Sequence, residues 1–502
     1  MEKIRIFLFV VAFVAFACYA QGQNVDEMVK QRQKEIELLK KKQQKSVDNL
    51  RADYRSFVEK QEREFSEYLQ NRWTEFQVFS GLDIPKLPKP KNAPVYFPKN
   101  NRTINPSRIL KKDSDRVIIN NKQLDFDLIL DNLSQTLTTT SVTDTIIGFH
   151  FFGDFIQINT DKNLIKPFVS EITETFIADY WDCLTQTIYQ TVLSRLVENS
   201  SRMKLNDWSY YMLIKSYGDA IHPKDSNSSQ LLSWFLLLKS GYKIKIGYNQ
   251  NNLALMLPSK HQIYNCKFVT HNGLNYYTPQ SIGESLHTYE KDIEGALSLF
   301  NVNFSEVVEL PVVNKKRQLK FKYQGNPYQI DIAYNQNLIS FYNDYPSVDF
   351  DHYFNTPVSD LTKKSICNNL LPILKEYSTE KKAEVLLSFI HQAFPYKRDN
   401  EQFGHEKCFF VEDILSYPYS DCEDRSVFYS WLVQNLIGLE TIAIRSPNHM
   451  FTGVDFHTVI GDNVNFNGKP FTVCDPTYIG ATVGVAMPEV LDTNLKVISI
   501  NQ

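Results

Sequence analysis

The sequence predicts an α+β protein with three parts: a long N-terminal amphipathic helix, a proline-rich connection, and two successive copies of one helix-and-sheet unit. Three observations lead there. Apolar residues recur every eleven positions through residues 24–80. Pro85, Pro88, Pro90, Pro94, Pro98 and Pro106 follow close together. Two distant stretches, SWFLLLKSGYKIKIGY (Ser233–Tyr248) and SWLVQNLIGLETIAIR (Ser430–Arg445), share one pattern: the end of a buried helix, a glycine stop and a short strand.

The chain has 502 residues, too many for a single ordinary core. Its 43% apolar and 22% charged residues are those of a globular protein. A formal charge of −3 argues against a nucleic-acid binder. Lys3 and Arg5 precede an apolar run from Ile6 to Ala17, and the small residues Cys18 and Ala20 fit a signal-peptidase site. The expectation is an export signal over 1–20, cleaved after Ala20, with lipidation at Cys18 as the weaker alternative because Phe16 fits a lipobox poorly. The run is too short to favour a membrane span, and the mature chain is expected to have none. The destination is then a periplasm, a cell surface or the medium. Cys183, Cys266, Cys367, Cys408, Cys422 and Cys474 remain, far apart and without CxxC pairs. That spacing points away from zinc and from a disulfide framework, toward buried thiols.

Residues 21–82 are assigned to the helix. Over 24–80, Lys and Arg (12) nearly balance Asp and Glu (11). The rows Ile36, Val47, Val58, Leu69, then Tyr54, Phe65, Phe76, and Phe57, Tyr68, Phe79 lie on one stripe, since eleven residues is close to three helical turns. The stripe suits self-association, with packing on the protein itself as the plainer use. Gly81 ends the helix. Residues 83–106 then read as a stiff extended linker whose lysines are solvated. Two hairpins are expected beyond it: one with Val117–Ile119 and Leu124, Phe126, Leu128, the other with Leu319, Phe321, Tyr323, a GNP turn, and Tyr328, Ile330, Ile332. The copies are placed at 107–305 and 306–502.

The second copy carries the chemistry. In YPYSDCEDRS, Asp421 suits the N-cap of a helix starting at Cys422, with Asp424 in its first turn. Val427, Phe428, Trp431, Leu432 and Leu436 form its apolar face, and Gly438 stops it. The helix dipole favours a thiolate at Cys422, whereas Glu423 and Asp424 oppose one, so a nucleophile here needs a histidine. His449 stands at the start of a strand in SPNHMFTGVDF, and Asp475 ends one in GKPFTVCDPTY. Helix, strand and strand in that order can bring Cys, His and Asp together: a thiolate attacks a carbonyl while the carboxylate orients the imidazole.

Residues 396–488 resemble the transglutaminase-like superfamily of papain-like cysteine enzymes. The matching residues are DCED around Cys422, PNHM around His449 and CDPTY around Asp475. The resemblance implies a Cys422–His449–Asp475 triad and a thioester acyl-enzyme formed from an amide or peptide bond, resolved by water or by an amine. The aromatic that usually follows the family's histidine is shifted, with Met450 then Phe451. The oxyanion hole would use the backbone N–H of Cys422 plus an upstream donor, with Gln402 and Tyr419 as candidates. Aligning Trp234 with Trp431 puts Asp225 opposite Cys422, Asn252 opposite His449, and Thr278–Pro279 near Asp475. The first copy is thus expected to be degenerate.

The remaining candidates read as ordinary structure. His222, His261 and His271 are placed in loops, His405 and Cys408 in a packed loop, and His457 at the surface. Glu423 and Asp424 are expected to cap the helix or bind Arg425. No cofactor or metal is indicated: there is no EF-hand-like loop, no GxGxxG and no GxxxxGK[ST]. The functional expectation is an exported cysteine-dependent hydrolase or acyltransferase with a protein or peptide substrate. The alternative is a non-catalytic structural protein presenting papain-like modules on a coiled-coil stalk.

Overall fold

A computed structural model describes residues 25–85, 89–96, 108–110, 145–168, 171–250, 252–491 and 493–500. The export signal and the hairpin expected at 117–128 lie outside them. Among the described residues no helix is long and apolar enough to cross a membrane.

Helix α1 spans Val25–Leu69, and Leu38, Leu39, Leu50, Tyr54 and Phe57 are exposed on it. The expected continuation to residue 80 is corrected. The helix stops at Leu69, and β1 (Trp73–Gln77) forms an antiparallel edge strand. Aromatic side chains decide this. The Trp73 indole donates to the Leu69 carbonyl at 2.6 Å, and its ring packs against Tyr248 and Tyr289 at 5.3 and 5.5 Å. That burial outweighs the helical repeat, as packing commonly overrides local pattern. The chain divides into two compact units at this point, one ending at Tyr68 and one beginning at Leu69.

The second unit is mixed α+β. It contains β2 (Arg108–Leu110), then the hairpin β3 (Thr145–Phe151) and β4 (Asp154–Thr160). Helices α2 (Glu174–Thr185), α3 (Tyr189–Arg202), α4 (Asp207–Ile221) and α5 (Ser226–Lys239) follow. Strands β5 (Lys245–Asn249), β6 (Asn252–Ser259), β7 (Lys267–His271), β8 (Leu274–Thr278) and β9 (Ser285–Tyr289) complete the first half. The second half repeats this plan. The hairpin β10 (Asn314–Tyr323) and β11 (Asn326–Asn335) leads to six helices: α6 (Gln336–Asp344), α7 (Phe350–Asn355), α8 (Asp360–Leu374), α9 (Thr379–Ala393), α10 (Asp399–Gln402) and α11 (Asp413–Ser416). Then come α12 (Cys422–Leu436), β12 (Thr441–Arg445), β13 (Met450–Val454), β14 (Asn463–Phe466), β15 (Lys469–Cys474), α13 (Pro488–Leu491) and β16 (Lys496–Ser499).

The β10–β11 hairpin lies where the alternation placed it, but its turn is Gln324–Gly325 rather than GNP. Both turn residues have positive φ, 48° and 84°, the twist a two-residue hairpin needs. The two half-barrel sheets have six strands each, in the orders β1-β9-β5-β6-β8-β7 and β16-β12-β13-β15-β14-β2. Apart from the added edge strands β1 and β2, one order is the other shifted along the chain. Helices α5 and α12 occupy the same place before each sheet's first central strand.

Gly453, in the middle of β13, shows how tightly the second sheet is packed. A Cβ there would lie 2.9 Å from both Ile442 Cγ1 and Phe471 Cβ. Ile442, Ile444, Phe451, Phe471 and Val473 are all buried in that core. Gly453→Ala is expected to cost about 1–3 kcal/mol through overpacking, read as a lower denaturation midpoint at unchanged slope.

Candidate active site

Local chemistry places the thiol. Asp421 is the N-cap of α12, and its backbone N–H donates to Asp424 Oδ2 at 3.1 Å, half of a capping box. Asp424 Oδ1 accepts from Phe409 N at 3.0 Å, tying the preceding loop to the helix. Cys422 thus stands at the first helical position. Gly438 ends the helix with φ +80°. Ser426 and Arg425, buried on α12, have partners. The Ser426 hydroxyl lies 2.7 Å from the Cys422 carbonyl and 3.1 Å from that of Met450, so one side chain joins the helix start to the residue after His449. Arg425, fully buried, donates to Ser420 Oγ and to the carbonyls of Phe394 and Pro476. Burial lowers its pKa to about 10. The expected Arg425 pairing with Glu423 or Asp424 is replaced by these contacts.

The sheet places the other two residues. Ser446 N donates to the His449 carbonyl at 2.8 Å, closing the tight β12–β13 turn. Thr452 of β13 pairs with Cys474 of β15, which brings Asp475 alongside. His449 Nε2 meets Asp475 Oδ2 at 2.8 Å. The other Asp475 oxygen accepts from Thr477 N and Tyr478 N at 2.9 and 3.1 Å, fixing the carboxylate. His391 Nε2 donates to the Asp475 carbonyl at 3.2 Å. Burial lowers the His391 pKa to about 4, so this imidazole is neutral. Phe451, two residues after His449 on the same strand face, stacks beside its ring at 5.9 Å. That is where the shifted aromatic lies. His449 Nδ1 is buried and has no hydrogen-bond partner.

The thiol is buried and bonded to a neighbouring carboxylate. Cys422, His449 and Asp475 are 0%, 1% and 1% exposed. The Cys422 thiol donates to Glu423 Oε2 at 2.9 Å. Burial, then the charges of Glu423 and Asp421, push its pKa well above the ordinary thiol range, while Lys89 pulls more weakly the other way. Cys422 is therefore protonated in this arrangement.

Sequence reasoning missed the counter-ion of these carboxylates. Lys89, expected to be solvated in the linker, is buried with its side chain 2% exposed. Its ammonium meets Asp421 Oδ2 at 2.6 Å, Glu406 Oε2 at 2.7 Å, Asp399 Oδ2 at 3.4 Å, and Glu423 Oε1. Burial acts to lower the Lys89 pKa, but the carboxylates of Glu423, Asp421 and Asp399 outweigh it, and the ammonium stays charged. Burial raises Asp399 to about 7. It also raises Asp421, with the Glu423 and Asp424 charges adding to it. Glu423 is different: burial acts to raise its pKa, but the Lys89 charge together with hydrogen bonds from Cys422, Lys89 and Asp421 outweighs burial and lowers it. A signal was present in the sequence, because three carboxylates in DCED around a buried helix start need a cation. Nothing in the sequence said which cation supplies it.

The oxyanion candidates separate. Gln402 ends α10, whose first residue Asp399 contacts Lys89, and its Oε1 is buried without a partner. Tyr419 is 38% exposed, with the Lys397 ammonium over its ring at 5.0 Å. Other expectations resolve as follows. His457 is exposed at the surface near Asp455, and Cys408 is buried. His222 is buried at the end of α4, not in an open loop, and His261 meets His352 edge-on. The six described cysteines are free thiols.

The N-cap corrects the alignment of the first half. Asp225 caps α5 as Asp421 caps α12, so Ser226, not Asp225, stands at the position of Cys422. The Ser226 hydroxyl accepts from Gln230 Nε2 at 3.0 Å. Asn252 occupies the place of His449, since Asn249 and Asn252 close the β5–β6 turn as Ser446 and His449 close β12–β13. Extending the β6–β8 register puts Gln280 opposite Asp475. Gln280 accepts from Leu255 N and donates to the Tyr211 hydroxyl. Neither Asn252 nor Gln280 can act as a general base.

Compared with models of known families, with curated proteins and with solved structures, the chain matches none.

Proposed function

We propose that the protein is an exported transglutaminase-like cysteine enzyme acting on amide or peptide bonds of a protein or peptide. Cys422 is the nucleophile, His449 the base and then the acid, and Asp475 the residue that orients the imidazole. The observation that carries this reading is the 2.8 Å His449–Asp475 pair beside the N-terminus of the Cys422 helix, with His449 Nδ1 left open. In the reaction His449 Nδ1 takes the thiol proton and the sulfur attacks the carbonyl carbon. The tetrahedral oxyanion collapses, the C–N bond breaks, and the amine leaves with the proton from His449. The resulting thioester passes to water, giving hydrolysis, or to an amine, giving transfer. The matching sheet orders support reading the first half as a degenerate copy of the same fold.

The rival reading, a non-catalytic scaffold, is favoured by one observation: the thiol is protonated, buried and turned to Glu423. Acylation of Cys422 by an activated ester, followed by peptide mass mapping, separates the two. Because Lys89 covers the site, the measurement uses Lys89→Met at pH 6. The enzyme reading expects an acyl mass on Cys422 that is lost in Lys89→Met/His449→Ala. Equal acylation with and without His449 would leave the scaffold reading.

A further inference from the structure

Residues 89–96 run over the catalytic half as an extended strap. At one end Lys89 sits among Asp399, Glu406, Asp421 and Glu423. Next to it the Pro90 carbonyl accepts from the Tyr396 hydroxyl at 2.9 Å. At the other end Ile479 N donates to the Pro94 carbonyl and Tyr96 N to the Ile479 carbonyl, both at 2.8 Å. The Tyr96 ring meets Tyr478 edge-on at 5.7 Å. Tyr478 and Ile479 follow directly on the Asp475–Pro476 corner, whereas Asp421 and Glu423 flank Cys422. The strap therefore touches the start of the Cys422 helix and the loop that follows Asp475.

Glu423 links the strap to the thiol. One of its oxygens takes the Lys89 ammonium, the other takes the Cys422 S–H. A carboxylate held ionised by a buried counter-ion is a strong acceptor, and it competes with His449 for the thiol proton. When Lys89 leaves, Glu423 loses that counter-ion among other carboxylates and must protonate or move to water. Either change frees the thiol.

We infer that this strap is a built-in inhibitor of the proposed enzyme: Lys89, through Glu423, keeps the Cys422 thiol turned from His449, and displacement of the strap switches the site on. The inference rests on the catalytic reading and regulates the same site.

The test is the alkylation rate of Cys422 by iodoacetamide, read by peptide mass mapping in folded protein. Lys89→Met is expected to raise the rate at least tenfold, and Lys89→Arg to keep it near wild type. Tyr396→Phe, which removes a strap contact without touching a charge, is expected to raise it severalfold. It decides the matter where Lys89→Met does not fold. Wild-type rates in the folded variants would overturn the strap. Repeating the series with His449→Ala separates the two ideas. Acceleration that persists without His449, and is no smaller, keeps the strap and removes the triad. A wild-type rate that already depends on His449, unchanged by Lys89→Met or Tyr396→Phe, keeps the triad and removes the strap.

Discussion

Asp475→Asn will lower Cys422 acylation by roughly 10³- to 10⁴-fold while the protein stays folded. The reason is a tautomer. Asp475 Oδ2 accepts a proton from His449 Nε2, so the lone pair is on Nδ1, the nitrogen without another partner. An asparagine can keep its carbonyl oxygen toward Thr477 N and Tyr478 N, where Asp475 Oδ1 now accepts. Its amide –NH₂ then faces His449 and donates to Nε2. The ring proton moves to Nδ1, which can no longer take the thiol proton. Acylation by an activated ester in the Lys89→Met background measures the loss. A drop of less than tenfold, with an unchanged melting temperature, would show that Asp475 does not set the imidazole's tautomer.

Lys89→Met will destabilise the fold by about 3–5 kcal/mol at neutral pH, because removing one partner of a buried ion pair leaves the other uncompensated. The pH dependence has a definite sign. In the wild type Lys89 holds Glu423 below its ordinary pKa, so that carboxylate adds stability above its unfolded value, lost as pH falls through the folded pKa. In the variant only the hydrogen bonds from Cys422 and Asp421 still oppose burial, and the folded Glu423 pKa is expected above the unfolded one. Stability is then lost as pH rises through the shifted value. The penalty is therefore largest at neutral pH and shrinks as pH falls toward about 4, near the unfolded glutamate pKa. Urea denaturation of both proteins at pH 7.5 and pH 5 tests this. A penalty that is equal at both values, or larger at pH 5, would show that Lys89 does not neutralise these carboxylates.

Much of the candidate site was legible because its signals are local. Asp421, Cys422 and Asp424 mark a helix start by capping chemistry, and Gly438 marks its end by a positive φ. The alternation in Met450, Thr452 and Val454 marks a strand with His449 at its head. The end of α1 was read too late because Phe76 fits its eleven-residue row as well as it fits a strand. Its choice depends on β9, far along the chain. The one-residue error in the first half has the same character: Trp234 and Trp431 align, but the N-caps do not.

The sequence by itself determined the helix that carries Cys422, the strands that flank His449 and end at Asp475, and the three residue types of the proposed triad, since each depends on neighbours within one element. Only the tertiary structure decided the state of that site. Lys89 reaches its carboxylates across 310 (Asp399) to 334 (Glu423) residues of chain, and a lysine among prolines carries no mark of burial. Which distant charges share a buried space is fixed by how the sheets and loops close, and that closure sets whether the Cys422 proton rests on the thiol or passes to His449.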